Sequence, residues 1–290
     1  MPRDTPKLTD FKVLVFDVYA TLVDWEKGIY ENLRPLLSKY PVSSHWSRRQ
    51  TLEAYQAVEL DLQAKNPQLL YCDILAKTHE VMEERLRAAS GIPIETSTSN
   101  GGPALFDSSG ASTSNQSTPA PLADKHVRFG ESIKDWPVFP DSSAALHELS
   151  KYYKLVVLSN VDRKSFAYTL AELSEGEPST AEVYSPPNPI QTIGSLTDVG
   201  SYKPDLNGFK VALDVIQKDP ALNNTPKDQV LWVAQSDVGD LNPASQLGIA
   251  TVFIDRKDAR MGFISGKDPS YTWKFDTLAE MVEAVAKETN

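Results

Sequence analysis

The chain has 290 residues, of which 41% are hydrophobic, which is enough for one large core and a second, smaller domain. Its formal net charge of -10 argues against binding along a nucleic-acid backbone, because that requires a basic surface. A small anionic substrate remains compatible with this charge, since a pocket can be locally positive.

The compartment is indicated by two features. The single cysteine, Cys72, excludes an internal disulfide and fits a reducing compartment. No apolar stretch approaches the ~20 residues needed to cross a bilayer, and the N-terminus lacks an apolar signal core. We therefore expect a cytoplasmic protein without membrane or nucleic-acid partners.

The first predicted strand, Val13–Phe16, is a short β-branched and aromatic run that stops at Asp17. Such a run is typical of a parallel strand buried on both faces. Open α/β sheets bind their ligands outside the carboxyl ends of the strands, so Asp17 lies where catalysis is usually located. Capping of the following turn is the structural alternative for this carboxylate.

Helical periodicity then continues to about residue 90 without an intervening strand, with helices predicted after residue 24, over 47–65 and over 70–89. Between Glu95 and Ala120, 19 of the 26 residues are Ser, Thr, Gly, Asn, Gln or Pro, so this segment cannot bury enough apolar surface to fold. We predict a low-complexity, disordered loop near residues 95–123, with a partner-binding tether as the functional alternative.

Strands and helices alternate in the remainder of the chain. Strands are predicted at 155–158, 230–234 and 250–254, separated by helices. Alternation of this kind predicts an α/β fold with a doubly wound parallel sheet. The predicted domains are a core of residues 1–24 and 134–290 and a helical cap of residues 25–133.

Polar residues follow three of the predicted strands. Asp17 and Thr21 follow the first, Ser159 and Asn160 the second, and the segment 235–240 the third. The carboxyl ends of parallel strands meet at one edge of the sheet, so these residues should converge.

These segments resemble the motifs of the haloacid dehalogenase superfamily, and within it those of the L-2-haloacid dehalogenase branch. The matching residues, in the family's order, are 17–24, 158–160, 201–205 and the loop 236–240 that leads to Ala244 and Gly248. The resemblance spans nearly the whole core and implies a hydrolase with a helical cap inserted after the first motif.

The resemblance also implies catalytic roles. Asp17 would be the nucleophile that forms a covalent ester, and Lys203 would be the cation that pairs with it. Asp240 would orient the water that hydrolyses the ester, and Asp237 could assist or replace it. The structural alternatives are that Lys203 is an ordinary solvated lysine and that Asp240 caps a helix.

Substrate contacts are implied for a further set of residues. Ser159 and Asn160 would donate hydrogen bonds to a substrate carboxylate or phosphate, and Thr21 would bond either to Asp17 or to the substrate. Ser236 would also contact the substrate. Turn or helix-cap formation is the alternative for these short polar side chains.

Tyr19 separates two chemistries. Phosphatases of the superfamily usually have an aspartate at this position, which protonates the leaving oxygen, and a phenol with a pKa of ~10 is a poor substitute. A departing halide needs no proton, so Tyr19 favours dehalogenation. Arg48 is the predicted halide-binding cation of the cap, with Arg49 and Arg34 as competitors, and Tyr19 and Trp25 would form an apolar wall.

Four positions of the chain differ from the usual family pattern. Ala20 stands where glycine is usual, and Gln235 and Asp237 replace serine and asparagine of the bacterial dehalogenases. Ser236 occupies the place of the usual metal-binding aspartate, so we predict no metal and no cofactor; Mg²⁺ is needed only under the phosphatase alternative.

We therefore predict a hydrolytic dehalogenase that converts small 2-haloalkanoic acids into 2-hydroxy acids and halide. The alternatives are a Mg²⁺-dependent phosphatase of a small phosphoester and a non-catalytic member that binds a partner protein. A homodimer is compatible with the resemblance.

Overall fold

The computed structural model describes residues 6–92, 124–174, 190–194, 201–257, 259, 261–263 and 269–289. The predicted low-complexity loop near residues 95–123 lies outside the described residues. Within the described segments, no helix combines the length and the apolar character that crossing a bilayer requires.

A sheet of six parallel strands forms the centre of the molecule, in the order β3-β2-β1-β4-β5-β6. The strands are β1 (Val13–Phe16), β2 (Lys154–Leu158), β3 (Ile190–Gly194), β4 (Val230–Ala234), β5 (Ala250–Ile254) and β6 (Trp273–Phe275). The chain runs outward from β1 to β3 and then returns to the other side of β1 at β4. This reversal produces a crevice at the carboxyl ends of β1 and β4, and it confirms the predicted doubly wound fold.

Helices cover both faces of the sheet because successive strand residues point to opposite sides. Val13 and Val15 lie in one hydrophobic core with Phe209, whereas Leu14 and Phe16 lie in the other. The helices are α1 (Trp25–Leu37), α2 (Arg48–Lys65), α3 (Tyr71–Ala89), α4 (Asp124–Gly130), α5 (Ser142–Leu149), α6 (Arg163–Ser174), α7 (Leu206–Lys218), α8 (Asn242–Gln246) and α9 (Leu278–Thr289).

Helices α1 to α4, which we call the helical insertion, lie between β1 and β2 in the chain, where the cap was predicted. Val23 and Val138 form an antiparallel bridge, and the Asp24 amide donates to the Pro137 carbonyl at 2.8 Å. The chain therefore leaves and re-enters the sheet at adjacent points. The predicted domain boundaries stay a prediction.

Four elements were not predicted: β3, β6, α4 and α9. β6 has only 3 residues, which is too short to show a period. By contrast, α9 buries Leu278, Met281 and Val285 at helical spacing, so its pattern was available in the sequence.

Candidate active site

Most of the predicted site residues converge at the carboxyl ends of three neighbouring strands. Asp17 follows β1, Ser159 follows β2 and Gln235 follows β4, while Lys203 reaches the same place from the loop before α7. All four residues line one cavity of about 300 Å³ between the sheet and the helical insertion.

Asp17 is held at the end of β1 by backbone and side-chain contacts. Its amide donates to the Val233 carbonyl at 3.1 Å, which continues the pairing of β1 with β4. One carboxylate oxygen accepts a hydrogen bond from Lys203 Nζ at 2.6 Å, and the other accepts one from the Thr21 hydroxyl at 2.9 Å. These partners orient a nearly buried carboxylate towards the cavity.

Lys203 lies between two carboxylates. Its Nζ is 2.6 Å from Asp17 Oδ1 and 2.7 Å from Asp240 Oδ1, and it also donates to the Leu158 carbonyl at 3.1 Å. Burial by itself would lower the pKa of Lys203, but the charges of Asp17 and Asp240 outweigh it and raise that pKa above its usual value. Lys203 is therefore a permanent cation beside Asp17.

Asp240 shares this cation and is itself buried. Burial raises the pKa of Asp240 to about 7, against the opposing effect of the ion pair with Lys203. The Trp232 indole N–H also donates to Asp240 Oδ1, at 3.2 Å. A carboxylate with a pKa near neutrality can both accept and release a proton, which is the property of a general base.

Asn160 holds the backbone of Lys203 in place. Its Oδ1 accepts from the Lys203 amide at 2.7 Å, and its Nδ2 donates to the Lys203 carbonyl at 3.1 Å. This positioning role was not predicted from the sequence. Asn160 and Ser159 both line the cavity, and their predicted hydrogen bonds to a substrate stay a prediction.

Thr21 lies behind Asp17 and does not line the cavity. Its hydroxyl donates to Asp17 Oδ2 and accepts from the Gln235 amide at 3.0 Å, which fastens the first motif to the loop after β4. Since Thr21 is fully buried, its predicted contact with a substrate is wrong, and the alternative bond to Asp17 is the one present. Ser236 does line the cavity, and its hydroxyl accepts from the Gly239 amide at 2.9 Å.

Asp237 does not reach the cavity, so the prediction that it assists or replaces Asp240 is wrong. Its side chain is buried, and its Oδ1 accepts from the Ser270 amide at 3.2 Å. The segment Asp237–Leu241 forms a π-helical turn, which is wider than an α-helical turn. Residues three apart in this turn therefore leave the backbone on different sides, and only Asp240 faces Lys203.

Tyr19 lines the cavity, as predicted for a wall residue. Its ring packs edge-on against Trp136 with the centroids 5.4 Å apart, and its hydroxyl is 3.1 Å from the Thr169 hydroxyl. Burial raises the pKa of Tyr19 well above its usual value. The phenol is consequently an even weaker acid than a free tyrosine.

Arg48 does not line the cavity, and its predicted role in halide binding is therefore wrong for this arrangement. Its guanidinium lies 3.7 Å from Asp24 and 3.9 Å from Glu26, at the start of the helical insertion. Ser47 caps α2 through a reciprocal capping box with Gln50, so Arg48 is in the first turn, away from the segment of α2 that covers the cavity.

Several cavity residues of the helical insertion were not predicted. They are Gln56, Glu59, Leu60 and Gln63 of α2 and Tyr71 of α3. The α2 residues follow the spacing i, i+3, i+4, i+7 and so share one face. A polar helix face normally indicates solvent exposure, and only the packing of α2 against the sheet reveals that this face is covered.

Three carboxylates line the cavity, and Mg²⁺ prefers an octahedral shell of oxygen ligands. They are Asp17, Glu59 and Asp240, and two of them already bond to the ammonium of Lys203. Among the described residues, no three His, Cys, Asp or Glu side chains form a cluster suited to a metal ion. In this arrangement the ammonium of Lys203 already pairs with Asp17 and Asp240, and independence from a metal stays a prediction.

Comparisons with known proteins identify relatives in structure. No family model and no curated protein sequence matches the chain. The L-2-haloacid dehalogenase from Xanthobacter autotrophicus with chloropropionic acid covalently bound matches with a TM-score of 0.61 at 14% identity, covering 95% of this chain and 98% of that chain. A dehalogenase in an intermediate complex matches with a TM-score of 0.61 at 15% identity, covering 96% and 98%.

A HAD-hydrolase from Bacillus subtilis bound to magnesium also matches, with a TM-score of 0.58 at 12% identity, covering 95% of this chain and 98% of that chain. Similarity at these identities establishes the fold. The chain therefore has the haloacid dehalogenase fold, as the resemblance of its motifs predicted.

Proposed function

We propose that this chain, with its haloacid dehalogenase fold, is a hydrolase that works through a covalent ester on Asp17 and removes halide from 2-haloalkanoic acids. The observation that carries the proposal is the position of Lys203 Nζ, 2.6 Å from Asp17 and 2.7 Å from Asp240. One cation thus connects a candidate nucleophile with a candidate general base at the floor of one cavity.

In the first step, a carboxylate oxygen of Asp17 attacks C2 of the substrate. The new C–O bond forms as the carbon–halogen bond breaks, and the halide leaves with the bonding electrons. Lys203 pairs with Asp17 at 2.6 Å and offsets the charge of an approaching carboxylate substrate. The product of this step is an ester between the substrate and Asp17.

In the second step, water attacks the Asp17 carboxyl carbon of the ester. Asp240 accepts the proton of this water, a role that suits a carboxyl group with a pKa of about 7. The ester C–O bond to the carboxyl carbon then breaks, and the released alkoxide takes up a proton to give the 2-hydroxy acid. Asp17 is regenerated with one oxygen from water.

Tyr19 favours halide as the leaving group. A phosphate ester needs a proton donor for its departing oxygen, and a tyrosine whose pKa is raised by burial is poorly suited to that task. Halide departs without a proton. The relatives in fold described as dehalogenases support the same choice, whereas the one described as bound to magnesium motivates the phosphatase control.

An isotope experiment tests the proposal. With enzyme in excess over a 2-chloroalkanoic acid in heavy-oxygen water, the first turnover should give unlabelled 2-hydroxy acid and a labelled Asp17 peptide. Asp17→Asn should release no halide. Label in the first-turnover product with an unlabelled Asp17 peptide would contradict the ester mechanism, because the water would then have attacked the substrate directly.

A parallel assay separates the phosphatase alternative. A phosphoester panel is measured with Mg²⁺ and with a chelator, beside halide release from short 2-chloro acids. The proposal expects halide release that the chelator leaves unchanged. Phosphate release that requires Mg²⁺, with no halide release, would favour the phosphatase.

A further inference from the structure

The face of α2 that covers the cavity is polar at its centre. Gln56, Glu59 and Gln63 occupy the spacing i, i+3, i+7 and all line the cavity opposite Lys203 and Asp17. Leu60, on the same face, is 53% exposed and lies at the rim. An amide, a carboxyl group and a second amide therefore form a row above the candidate nucleophile.

Glu59 is buried without a cationic partner. Its side chain is only 6% exposed, and none of the described Lys, Arg or His side chains forms an ion pair with it. Its Oε1 accepts a hydrogen bond from the Tyr71 hydroxyl at 2.8 Å, the only partner it has among the described residues. Burial raises the pKa of Glu59 to about 7. A carboxylate in such a position is costly to the fold, which points to a ligand.

Tyr71 fixes the position of Glu59. The Tyr71 ring packs edge-on against Trp136 at 6.4 Å and lies 6.1 Å from the ring of Tyr19, two residues after Asp17. The hydroxyl proton of Tyr71 is already donated to Glu59 Oε1. Glu59 therefore presents acceptor capacity to the cavity from a rigid aromatic support.

The charges that line the cavity determine which chemical groups would fit beside Glu59. Lys203 is the only cation of the described residues that lines it, and it lies at the floor between Asp17 and Asp240. Anionic groups near Glu59 would face a carboxyl group without a compensating cation. A group that donates hydrogen bonds would instead satisfy Glu59 and the carbonyl oxygens of Gln56 and Gln63.

We propose that Glu59, with Gln56 and Gln63, forms a specificity subsite for a hydrogen-bond-donating group, a hydroxyl or an ammonium, at the end of the substrate remote from the reacting carbon. This subsite rests on the proposed function for the orientation of the substrate. The cavity of about 300 Å³ has room for such an extension beyond a short haloacid.

A matched substrate series tests the subsite. The substrates are 2-chloroalkanoic acids of equal length whose far end carries a hydroxyl, an ammonium, a methyl or a carboxylate group. Halide release should show kcat/KM at least about tenfold higher for the hydroxyl and ammonium ends than for the methyl end, and lowest for the carboxylate end. A wild-type preference below about twofold would overturn the subsite.

Variants identify Glu59 as the origin of the preference. Glu59→Leu should bring the hydroxyl and ammonium ends to within about twofold of the methyl end. Glu59→Gln should keep the preference for hydroxyl over methyl and lose that for ammonium, because an amide oxygen accepts hydrogen bonds but carries no charge. The control is Glu53→Leu, an exposed glutamate of the same helix, which should keep both preferences. Preferences that survive Glu59→Leu would refute the assignment.

Binding measurements test the subsite independently of halide release. The same four end groups on halogen-free alkanoic acids are titrated into the full chain by calorimetry. Tighter binding of the hydroxyl and ammonium ends with no halide release from any chloro acid would support the subsite and reject dehalogenation. Halide release without any end-group preference in turnover or binding would reject the subsite alone, and no binding and no turnover would reject both.

Discussion

The ammonium nitrogen of Lys203 lies 2.6 Å from a carboxylate oxygen of Asp17, although the two residues are 186 positions apart in the chain. The same nitrogen is 2.7 Å from Asp240. Two buried carboxylates thus depend on one cation, which is itself held by the side chain of Asn160. Each proposed catalytic step uses a member of this cluster.

Lys203→Met should remove activity and stability together. Without the ammonium, Asp17 and Asp240 lose their shared cation and an anionic substrate loses its counter-charge, so halide release should fall by about 100- to 1,000-fold. The free energy of unfolding in urea should fall by about 3–5 kcal/mol. Lys210→Met, at an exposed position on α7, is the control and should change neither measurement appreciably. More than half of the wild-type activity in Lys203→Met would refute the role of the cation.

Asp240→Asn should separate the two proposed steps. Halide should still be released in the first turnover, and the ester on Asp17 should then accumulate because its hydrolysis slows by about 100- to 10,000-fold. Mass spectrometry of the Asp17 peptide detects this ester. In the wild type, ester hydrolysis should rise with pH through about 7, where Asp240 loses its proton.

The matched control for this variant is Asp237→Asn, three residues away. Asp237 faces Ser270 and not the cavity, so its variant should keep the pH profile and the rate of ester hydrolysis within a few-fold. Accumulation of ester in Asp237→Asn, with none in Asp240→Asn, would reverse the assignment of the two aspartates.

Glu59→Gln should stabilise the protein at alkaline pH. Burial raises the pKa of Glu59 from 4.5 to about 7, so the folded state binds more protons than the unfolded state between these values. The contribution of the protonated Glu59 to the stability of the folded state is complete below pH 4.5 and is lost as the pH rises through 7. At pH 8 the neutral glutamine should therefore raise the free energy of unfolding by about 3 kcal/mol relative to wild type.

This gain should shrink to about 0.4 kcal/mol at pH 4.5, where Glu59 is protonated in the folded state and half protonated in the unfolded state. Urea unfolding at the two pH values measures it, with Glu53→Gln as an exposed control on the same helix. An equal effect of Glu59→Gln at both pH values would show that the burial of charge is not its cause.

His79 should make the helical insertion sensitive to acid. Its Nδ1 is 2.7 Å from Nδ1 of His126, and its ring stacks on Phe129 with the centroids 4.6 Å apart. Burial, together with the charge of His126, lowers the pKa of His79 to about 4. The unfolded state therefore binds more protons than the folded state between pH 6.5 and 4, and the free energy of unfolding should fall by about 3 kcal/mol as the pH is lowered across this interval.

Calorimetric or urea unfolding across this pH range measures the acid effect. His79→Gln removes the titrating group and should flatten the fall, while His45→Gln, at an exposed position, should leave it unchanged. A fall of the same size in His79→Gln would assign the acid sensitivity to other groups.

Much of the fold was predictable because its signals are local. The buried strands β1, β2, β4 and β5 are short apolar runs that end at polar residues, and α2 and α3 carry clear helical periodicity. The missed strand β6 has 3 residues and takes its conformation from pairing with β5, which no local pattern records. The amphipathic spacing of α9 is, by contrast, a local pattern of the sequence.

The candidate site was predictable to the extent that strand ends define it. Asp17 and Asp240 meet because parallel strands place their carboxyl ends at one edge of the sheet, and Lys203 reaches them from the loop before α7. Asp237 was predicted from its position three residues before Asp240, and Arg48 from its separation from Asp17 along the chain; both side chains point elsewhere. The direction of a side chain depends on the turn and the neighbours around it, here the π-helical turn and the pair Asp24 and Glu26.

The sequence by itself determined the doubly wound core and the order of its polar motifs, because hydrophobic periodicity and strand-end polarity are properties of neighbouring residues. It also showed through Tyr19 that no carboxylic acid stands two residues after Asp17, the candidate nucleophile. Only the tertiary structure decided that Glu59 is a buried carboxyl group facing that site. Burial arises from the packing of α2 over the sheet, and a glutamate on a helix has the same local pattern whether water or protein covers it.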